Sequence, residues 1–369
     1  MKVAHVNTSR GFGGGEVQIF LLLRGLRRNG IESTLFCPPH SASQKRAASE
    51  GFATQPLRLR NDSDVPGILR LYRALSSSGW DLAHLHSGRA IWCGSIAARL
   101  AGVPIVATKR MDRVIKRSPK SALLWHRWVD RAVAISPAVE RHFVDYGVKP
   151  ESRRLVRSVV DPSRIHAEGK PLDARCVPDA GRYTLLFAGS LHRAKGADVL
   201  IDAMAMLIRS GTPVRAWLLG EGPQLYALRK RITEAALDRH CLMLGQRENV
   251  ADYLKAVDLC VMPSRAEGMG NTALEAMGAG VPVIASAVGG LADSVIDGVT
   301  GRLVPPEDPV ALAGAIRELA NDAEKRRVMG EAARVHVAKH YRPDQMVDGY
   351  LALYRELIEV RDRCASVGD

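Results

Sequence analysis

The chain has 369 residues, 46% hydrophobic and 25% charged, which excludes a disordered or fibrous protein and suggests two domains of ordinary size or one large one. Lys and Arg number 52 against 39 Asp and Glu, a formal charge of +13, so acidic partners are expected: nucleic acid, phosphorylated substrates or an anionic membrane face. Cys37, Cys93, Cys176, Cys241, Cys260 and Cys364 lie far apart, with no Cys-x-x-Cys pair and no histidine cluster at metal-ligand spacing, so a reducing compartment and no structural zinc are expected.

The opening "MKVAHVNTSRGFGGG" lacks a basic segment followed by a long apolar run, so no signal peptide is expected. No stretch approaches about eighteen uninterrupted apolar residues, the minimum for crossing a bilayer, and a cytoplasmic location follows by default. "KVAHVNT" reads as a strand, and "EVQIFLLLRGLRRNG" as a helix stopped by basic residues and Gly30. Further strands are "IESTLFC", "DLAHLH", "VPIVAT" and "RAVAIS", separated by helical stretches that include one through 121 to 131. This alternation predicts a parallel sheet covered on both faces. Asp62-Ser63-Asp64 superficially matches a metal-binding Asp-x-Asp, but acids before "VPGILRLYRAL" are ordinary helix-start residues, and no metal site is expected. A polar stretch at 161 to 182 reads as a linker, after which the rhythm restarts with "YTLLFAG" and runs to "VPVIAS". The tail is almost entirely helical. Two α/β domains in series, each compatible with double winding, are expected to share an interdomain cleft beyond the carboxyl ends of their strands.

Three glycine-rich or charged turns carry the chemistry. "SRGFGGGE" joins the first strand to the first helix, where bare amides and a helix N-terminus favour an anion, although neither the Gly-x-Gly-x-x-Gly nor the Walker pattern is met. "AGSLHRAKGADVLIDA" places Arg193 and Lys195 in another strand-to-helix turn, where like charge at the positive helix end is unfavourable unless a polyanion binds. "SRAEGMGNTALEAMGAG" follows the strand "DLCVMPS" and holds Glu267 among glycines and Glu275 on a predicted helix. Thr272-x-x-Glu275 also fits a capping box, in which Glu275 would bond backbone at the helix start. Glu267 has no such role, and an acid there could recognise ligand hydroxyls.

The stretch "PSRAEGMGNTALEAMGAGVPVIAS" resembles the Glu-x7-Glu region of retaining GT-B glycosyltransferases of family 4. "GGGEVQIFLLLRGLRRNG", "AISPAVERHF", "VDPSRI", "FAGSLHRAKGADVLIDAM", "GEGPQLYALRK" and "VIDGVTGRLVPPEDPVALAGAI" extend the resemblance nearly end to end. It implies a GT-B fold of two Rossmann-like domains: an acceptor-side domain at 1–165, completed by a C-terminal helix at 346–369, and a nucleotide-sugar domain at 166–345. It implies Glu267 on the donor sugar, backbone around Gly268, Met269, Gly270, Asn271 and Thr272 on sugar and phosphate, and Glu275 on the ribose. Arg193 and Lys195 would neutralise the diphosphate, with Gly13, Gly14 and Gly15 closing on it. Gly220, Gly222, Asn249 and Val250 would border the base.

The chain departs from the family pattern at four places. Ser190 stands where many relatives have arginine, and Ser158-Val159-Val160-Asp161 replaces Asn-Gly-Val-Asp. Asp293 stands in "GGLAD", and "TKRMDR" replaces an acceptor-side histidine. Arg110, Asp112 and His86 are the acceptor-side candidates. The basic segment 109–131, with Leu123, Leu124, Trp125 and Trp128 interleaved, suits a peripheral contact with an anionic inner membrane face, or else a solvated loop before a core helix. The function implied is metal-independent transfer of a hexose, with no cofactor, from a nucleotide-sugar (a UDP-sugar first) to a glycolipid or polysaccharide acceptor such as a lipopolysaccharide precursor. A nucleotide-sugar 2-epimerase on the same architecture is the alternative. A nucleic-acid-binding protein is a remote one, since aromatic content is 5% and no stacking platform is visible.

Overall fold

A short apolar strand followed by an amphipathic helix that carries the chain back for the next parallel strand is the repeating step of this protein. The computed structural model describes residues 1–77, 79–166, 169–176 and 181–366. The chain divides into two compact units, one of Met1–Ser158 with the segment from Pro343 onward, the other Val159–Arg342.

In the first unit the strands are β1 (Lys2–Val6), β2 (Glu32–Cys37), β3 (Ala53–Pro56), β4 (Leu82–Leu85), β5 (Ile105–Lys109), β6 (Arg131–Ala134) and β7 (Arg153–Leu155). They form one parallel sheet in the order 3-2-1-4-5-6-7. Between them run α1 (Gly14–Arg28), α2 (Ala42–Ser49), α3 (Val65–Ser76), α4 (Gly88–Leu100), α5 (Pro119–Leu123) and α6 (Pro137–Tyr146). The winding reverses between β1 and β4. Asp64 caps α3, accepting from Gly67 N at 3.1 Å and Arg60 N at 2.8 Å, with Pro66 in the first turn.

In the second unit β8 (Tyr183–Ala188), β9 (Val214–Leu219), β10 (Cys241–Gly245), β11 (Leu259–Met262), β12 (Val283–Ser286) and β13 (Gly301–Val304) form a parallel sheet in the order 10-9-8-11-12-13. Its helices are α7 (Ala197–Arg209), α8 (Leu225–Glu234), α9 (Val250–Lys255), α10 (Asn271–Gly278), α11 (Gly289–Ser294), α12 (Pro309–Ala320) and α13 (Ala323–His340). The winding reverses between β8 and β11. The final helix, α14 (Pro343–Ser366), belongs to the first unit, where it lies along α1.

Three expectations are corrected. The helix through 121 to 131 is instead α5 followed by a π turn at Leu124–Trp128, ending before β6. The unit boundaries fall after Ser158 and Arg342 rather than at 165 and 345. Pairings inside the second unit explain the shift: Val160 N donates to Tyr341 O at 3.0 Å, and Arg164 pairs with Glu275. The polar stretch 161–182 is more than a linker. Gly169 N donates to Asp252 and Asp173 N to Tyr253, which fasten it onto α9, while Arg247 reaches Asp173 at 2.5 Å. Residues 167, 168 and 177–180 of that stretch lie outside the described residues. Cys37, Cys93, Cys176, Cys241 and Cys260 are buried free thiols, and burial pushes Cys260 up to about 12. The side chain of Cys364 lies outside the described residues.

Candidate active site

Because the strands of the second unit are parallel, the exits of β8, β9, β10 and β11 lie along one edge of the sheet, the edge where open α/β sheets bind ligands. The exits of β8 and β11 flank the reversal point, and they are the loops that carry Arg193 and Lys195 on one side and Glu267 on the other. Lys195 Nζ contacts Glu267 Oε2 at 2.5 Å, with both side chains largely out of solvent, and Ser264 Oγ lies 3.4 Å from the same oxygen. Arg193 is exposed and makes no ion pair among the described residues. The two loops are joined by Arg265, whose backbone N donates to Ala194 O and whose guanidinium reaches Arg193 O and Asp198, each at 2.8 Å.

Close backbone approach explains the glycines. Gly196, at the start of α7, has φ 68°, and an added Cβ would stand 1.8 Å from Pro263 O. Gly220 has φ 145°, and a Cβ there would stand 1.8 Å from Gly189 O. Gly222 abuts Leu191 in the same way, and Leu191 N donates to Glu221 O. The 189–191 and 220–224 loops are therefore pressed together at the exits of β8 and β9. Asn249 and Val250 stand at the start of α9, beyond β10.

Gly268, Met269 and Gly270 lead into α10. Gly290 N donates to Glu267 O at 2.9 Å, and a Cβ on Gly290 would strike Met269 Cα and Gly268 O, so this turn is held by its neighbour. Met269 is buried, which leaves only its backbone for a ligand. Asn271 and Thr272 are half-buried in the first turn of α10. The capping-box reading of Glu275 is overturned. Gly270 is the N-cap, no side chain caps the helix, and the Glu275 carboxylate is instead gripped by Arg164, with Nε to Oε1 at 2.5 Å and Nη2 to Oε2 at 3.3 Å. Burial raises the Glu275 carboxyl above its ordinary value and Arg164 opposes that rise. Nothing in the local spacing points to Arg164, which lies 111 residues away.

In the first unit the reversal point lies between β1 and β4. Gly13 and Gly14 are exposed at the start of α1, Gly15 is half-buried, and Gly13 N is held by Glu16 Oε2 at 2.9 Å. A Cβ on Gly15 would stand 3.5 Å from Arg110 Cδ, so Arg110 lies against this loop. One Arg110 amine is 3.3 Å from His86 Nδ1, and its buried Nε has no partner among the described residues. Asp112 is engaged by His142 Nε2 at 2.6 Å. His86 is buried.

The fold assembles a histidine cluster that sequence spacing conceals. His5 on β1 and His84 on β4 are register partners, and His86, two residues on, shares the face of His84. The three rings could hold a metal by proximity. Their bonding argues otherwise. Both His84 nitrogens are engaged by hydroxyls, Tyr354 at 2.6 Å and Thr108 at 2.7 Å, and His5 Nδ1 lies 3.0 Å from His86 Nε2. The neighbouring Arg110 charge would also repel a cation. Burial pushes His5 down to about 3, and burial lowers His84 and His86 too, so all three are neutral near pH 7. Tyr350 completes the network through Thr108 at 3.0 Å, which ties α14 to the sheet.

Lys109, at the end of β5, donates to the carbonyls of Met111 and Arg113, and burial lowers its amine to about 8. Between about pH 8 and its ordinary value the unfolded chain binds a proton that the folded chain does not, so this group makes stability rise with pH across that window. Lys109→Met is expected to flatten that rise when unfolding midpoints are measured from pH 7.5 to 10.5. An unchanged slope would remove Lys109 as its source.

The apolar residues of the basic segment divide. Leu124 and Trp125 are buried and Trp128 packs on Trp92 at 5.4 Å, so of the four expected at a membrane face only Leu123 is exposed. Met111 and Val114, 55% and 76% exposed, join it instead.

Residues 12–164 match the family model described as Glycosyltransferase Family 4, and residues 174–336 match Glycosyl transferases group 1. A D-inositol 3-phosphate glycosyltransferase of Catenulispora acidiphila is 31% identical over 82% of this chain and 79% of its own length. A 2-deoxystreptamine N-acetyl-D-glucosaminyltransferase of Streptomyces fradiae is 29% identical over 93% of this chain and 90% of its own. Among solved structures, Anabaena HepE in complex with UDP and glucose superposes with a TM-score of 0.83 at 20% identity, covering 96% of this chain and all of that one.

Proposed function

This chain belongs to the family 4, group 1 glycosyltransferases, a nucleotide-sugar-dependent enzyme of GT-B fold, and on that premise we propose that it transfers a hexose from a UDP-sugar to a hydroxyl-bearing acceptor with retention of configuration. The observation that carries the reading is the Lys195–Glu267 pair at the reversal point of the second sheet, with exposed Arg193 beside it.

In this reading the bond between the anomeric carbon and the diphosphate oxygen breaks, and charge develops on the diphosphate. Arg193, Lys195 and the amides entering α10 stabilise that charge without a metal. Glu267 steadies the sugar as it gains oxocarbenium character. The acceptor hydroxyl attacks the same face, and its proton passes to the departing diphosphate. Glu275 takes the ribose hydroxyls. The loops around Gly220, Gly222, Asn249 and Val250 border the base.

Arg110, pressed under the Gly13–Gly15 loop, supports an acceptor that carries an anionic group. The names of the relatives point to small polyols, one of them a phosphate, and a glycolipid with a phosphorylated head would present the same chemistry. The proposal includes a peripheral contact with anionic lipid through Met111, Val114 and Leu123 among Arg113, Lys116, Arg117 and Lys120, all exposed.

The test is thermal unfolding against UDP, GDP, ADP and a short RNA, with EDTA throughout. A ligand that binds the folded form raises the midpoint, by about 2.7 kcal/mol of stability at a hundred times its Kd. A rise with UDP is expected. A rise with RNA and none with any nucleoside diphosphate would sink the reading.

A further inference from the structure

Glu275 is 4% exposed, and among the described residues its carboxylate is bonded at two points by Arg164. Glu275 is the fifth residue of α10, past its first turn, and what holds its carboxylate is the two-point guanidinium grip. Arg164 is itself fixed. It ends the short turn Pro162–Arg164, whose start is held by Asp161 Oδ1 accepting from Ser163 N at 3.0 Å and Ser163 Oγ at 2.7 Å. Ile165 then seats against α10, since a Cβ on Gly278 would lie 2.8 Å from Ile165 Cδ1. The chain entering the second unit is thus fastened to the helix that carries Glu275.

A carboxylate offers about four acceptor directions, and a side-on guanidinium uses about two. Two remain on the far edge, which matches the two donors of a vicinal diol. We propose that Arg164 is a positioning residue that presents Glu275 as a fixed carboxylate to the two ribose hydroxyls of the donor, making the 161–165 turn part of the nucleotide site. This rests on the nucleotide reading of Glu275.

The groups that bear on Glu275 are few. Arg164 favours its charged form, while burial and Asp161 oppose it. Cys260 on β11 is neutral in its buried position. On α13, which packs along α10, Arg334 is turned to Glu331, and on α9 Asp252 is taken by Gly169 N. Removing the guanidinium removes the one favourable charge, so the carboxyl keeps its proton to higher pH. Diol binding then recovers as pH rises.

The experiment measures Kd for UDP and for 2′-deoxy-UDP by titration calorimetry from pH 6 to 9. Wild type is expected to prefer UDP by about 10–100-fold, the value of one hydrogen bond to a charged acceptor, with little pH dependence. Arg164→Gln should lose at least about tenfold for UDP at pH 7, lose most of the preference over 2′-deoxy-UDP, and regain affinity toward pH 9. Arg164→Lys, which keeps the charge but only one point of contact, should fall between wild type and Arg164→Gln at pH 7 while keeping the flat pH profile. In a Glu275→Gln background, Arg164→Gln should add no further loss, because it acts through an absent carboxylate.

If Arg164→Gln alone does not fold, the double variant, which buries no lone charge, and Arg164→Lys decide the matter by the same criteria. Wild-type affinity, preference and pH profile in Arg164→Gln, or an added loss in the double variant, would overturn the role. Wild type that binds no nucleoside diphosphate would instead overturn the reading beneath it.

Discussion

Glu267→Gln is expected to lower turnover by about 10²–10⁴-fold while leaving UDP affinity equal or tighter. The split follows from the contact with Lys195 Nζ at 2.5 Å. In the free protein that carboxylate competes with a diphosphate for the ammonium, and neutralising it frees Lys195 for the phosphates. At the sugar the same change removes the one fixed negative charge proposed to meet the oxocarbenium character. Lys195→Met should act in the other sense, weakening UDP binding as well as turnover. Steady-state rates with calorimetric Kd values for UDP check both variants. Glu267→Gln with more than half of wild-type turnover would show that the pair serves the fold rather than the reaction.

Gly196→Ala is expected to destabilise the second unit by about 2–5 kcal/mol, the sum of a left-handed backbone penalty and forced repacking. At roughly 2–4 °C per kcal/mol for a unit of this size, its melting should fall by about 4–20 °C. The cause is local. The new Cβ would stand 1.8 Å from Pro263 O, and the chain after Pro263 carries Ser264, Arg265 and Glu267. Relief of the clash must move that loop, so UDP affinity should fall in the material that still folds. Gly211→Ala is the control, because Gly211 has a similar φ of 72° with open space around it. It should cost only the backbone penalty, about 1–2 kcal/mol, and leave binding unchanged. Calorimetric melting of the two variants separates the causes, and equal losses would rule out the backbone contact at Gly196.

These two expectations come from different sources. The Glu267 loop was legible in sequence because its signals are contiguous: a buried strand, an acid among glycines, then a helix. The glycines at 196 and 220 were visible as residues, but the reason for them was not. Each clears a backbone carbonyl from another loop, and that carbonyl's position depends on how β8, β9 and β11 lie side by side. Which apolar residues of the basic stretch 109–131 are buried was hidden for a related reason. Its apolar residues alternate with charge in the sequence, yet the π turn at Leu124–Trp128 rolls Leu124 and Trp125 into the core.

By itself, the sequence determined the parallel α/β rhythm, the restart of that rhythm in a second domain, and the acids, cations and glycines at the strand exits. Periodicity, caps and turn residues act over a few positions, so contiguous text carries them. The tertiary structure alone decided the partners. Arg164 closes on Glu275 across 111 residues, His5 meets His86 across 81, and Tyr354 reaches His84 across 270. Such pairings are set by strand order, register and the return of α14 to the first sheet, which no local spacing records. They govern the electrostatics here, because a buried carboxylate or imidazole takes its charge state from whatever the fold places beside it.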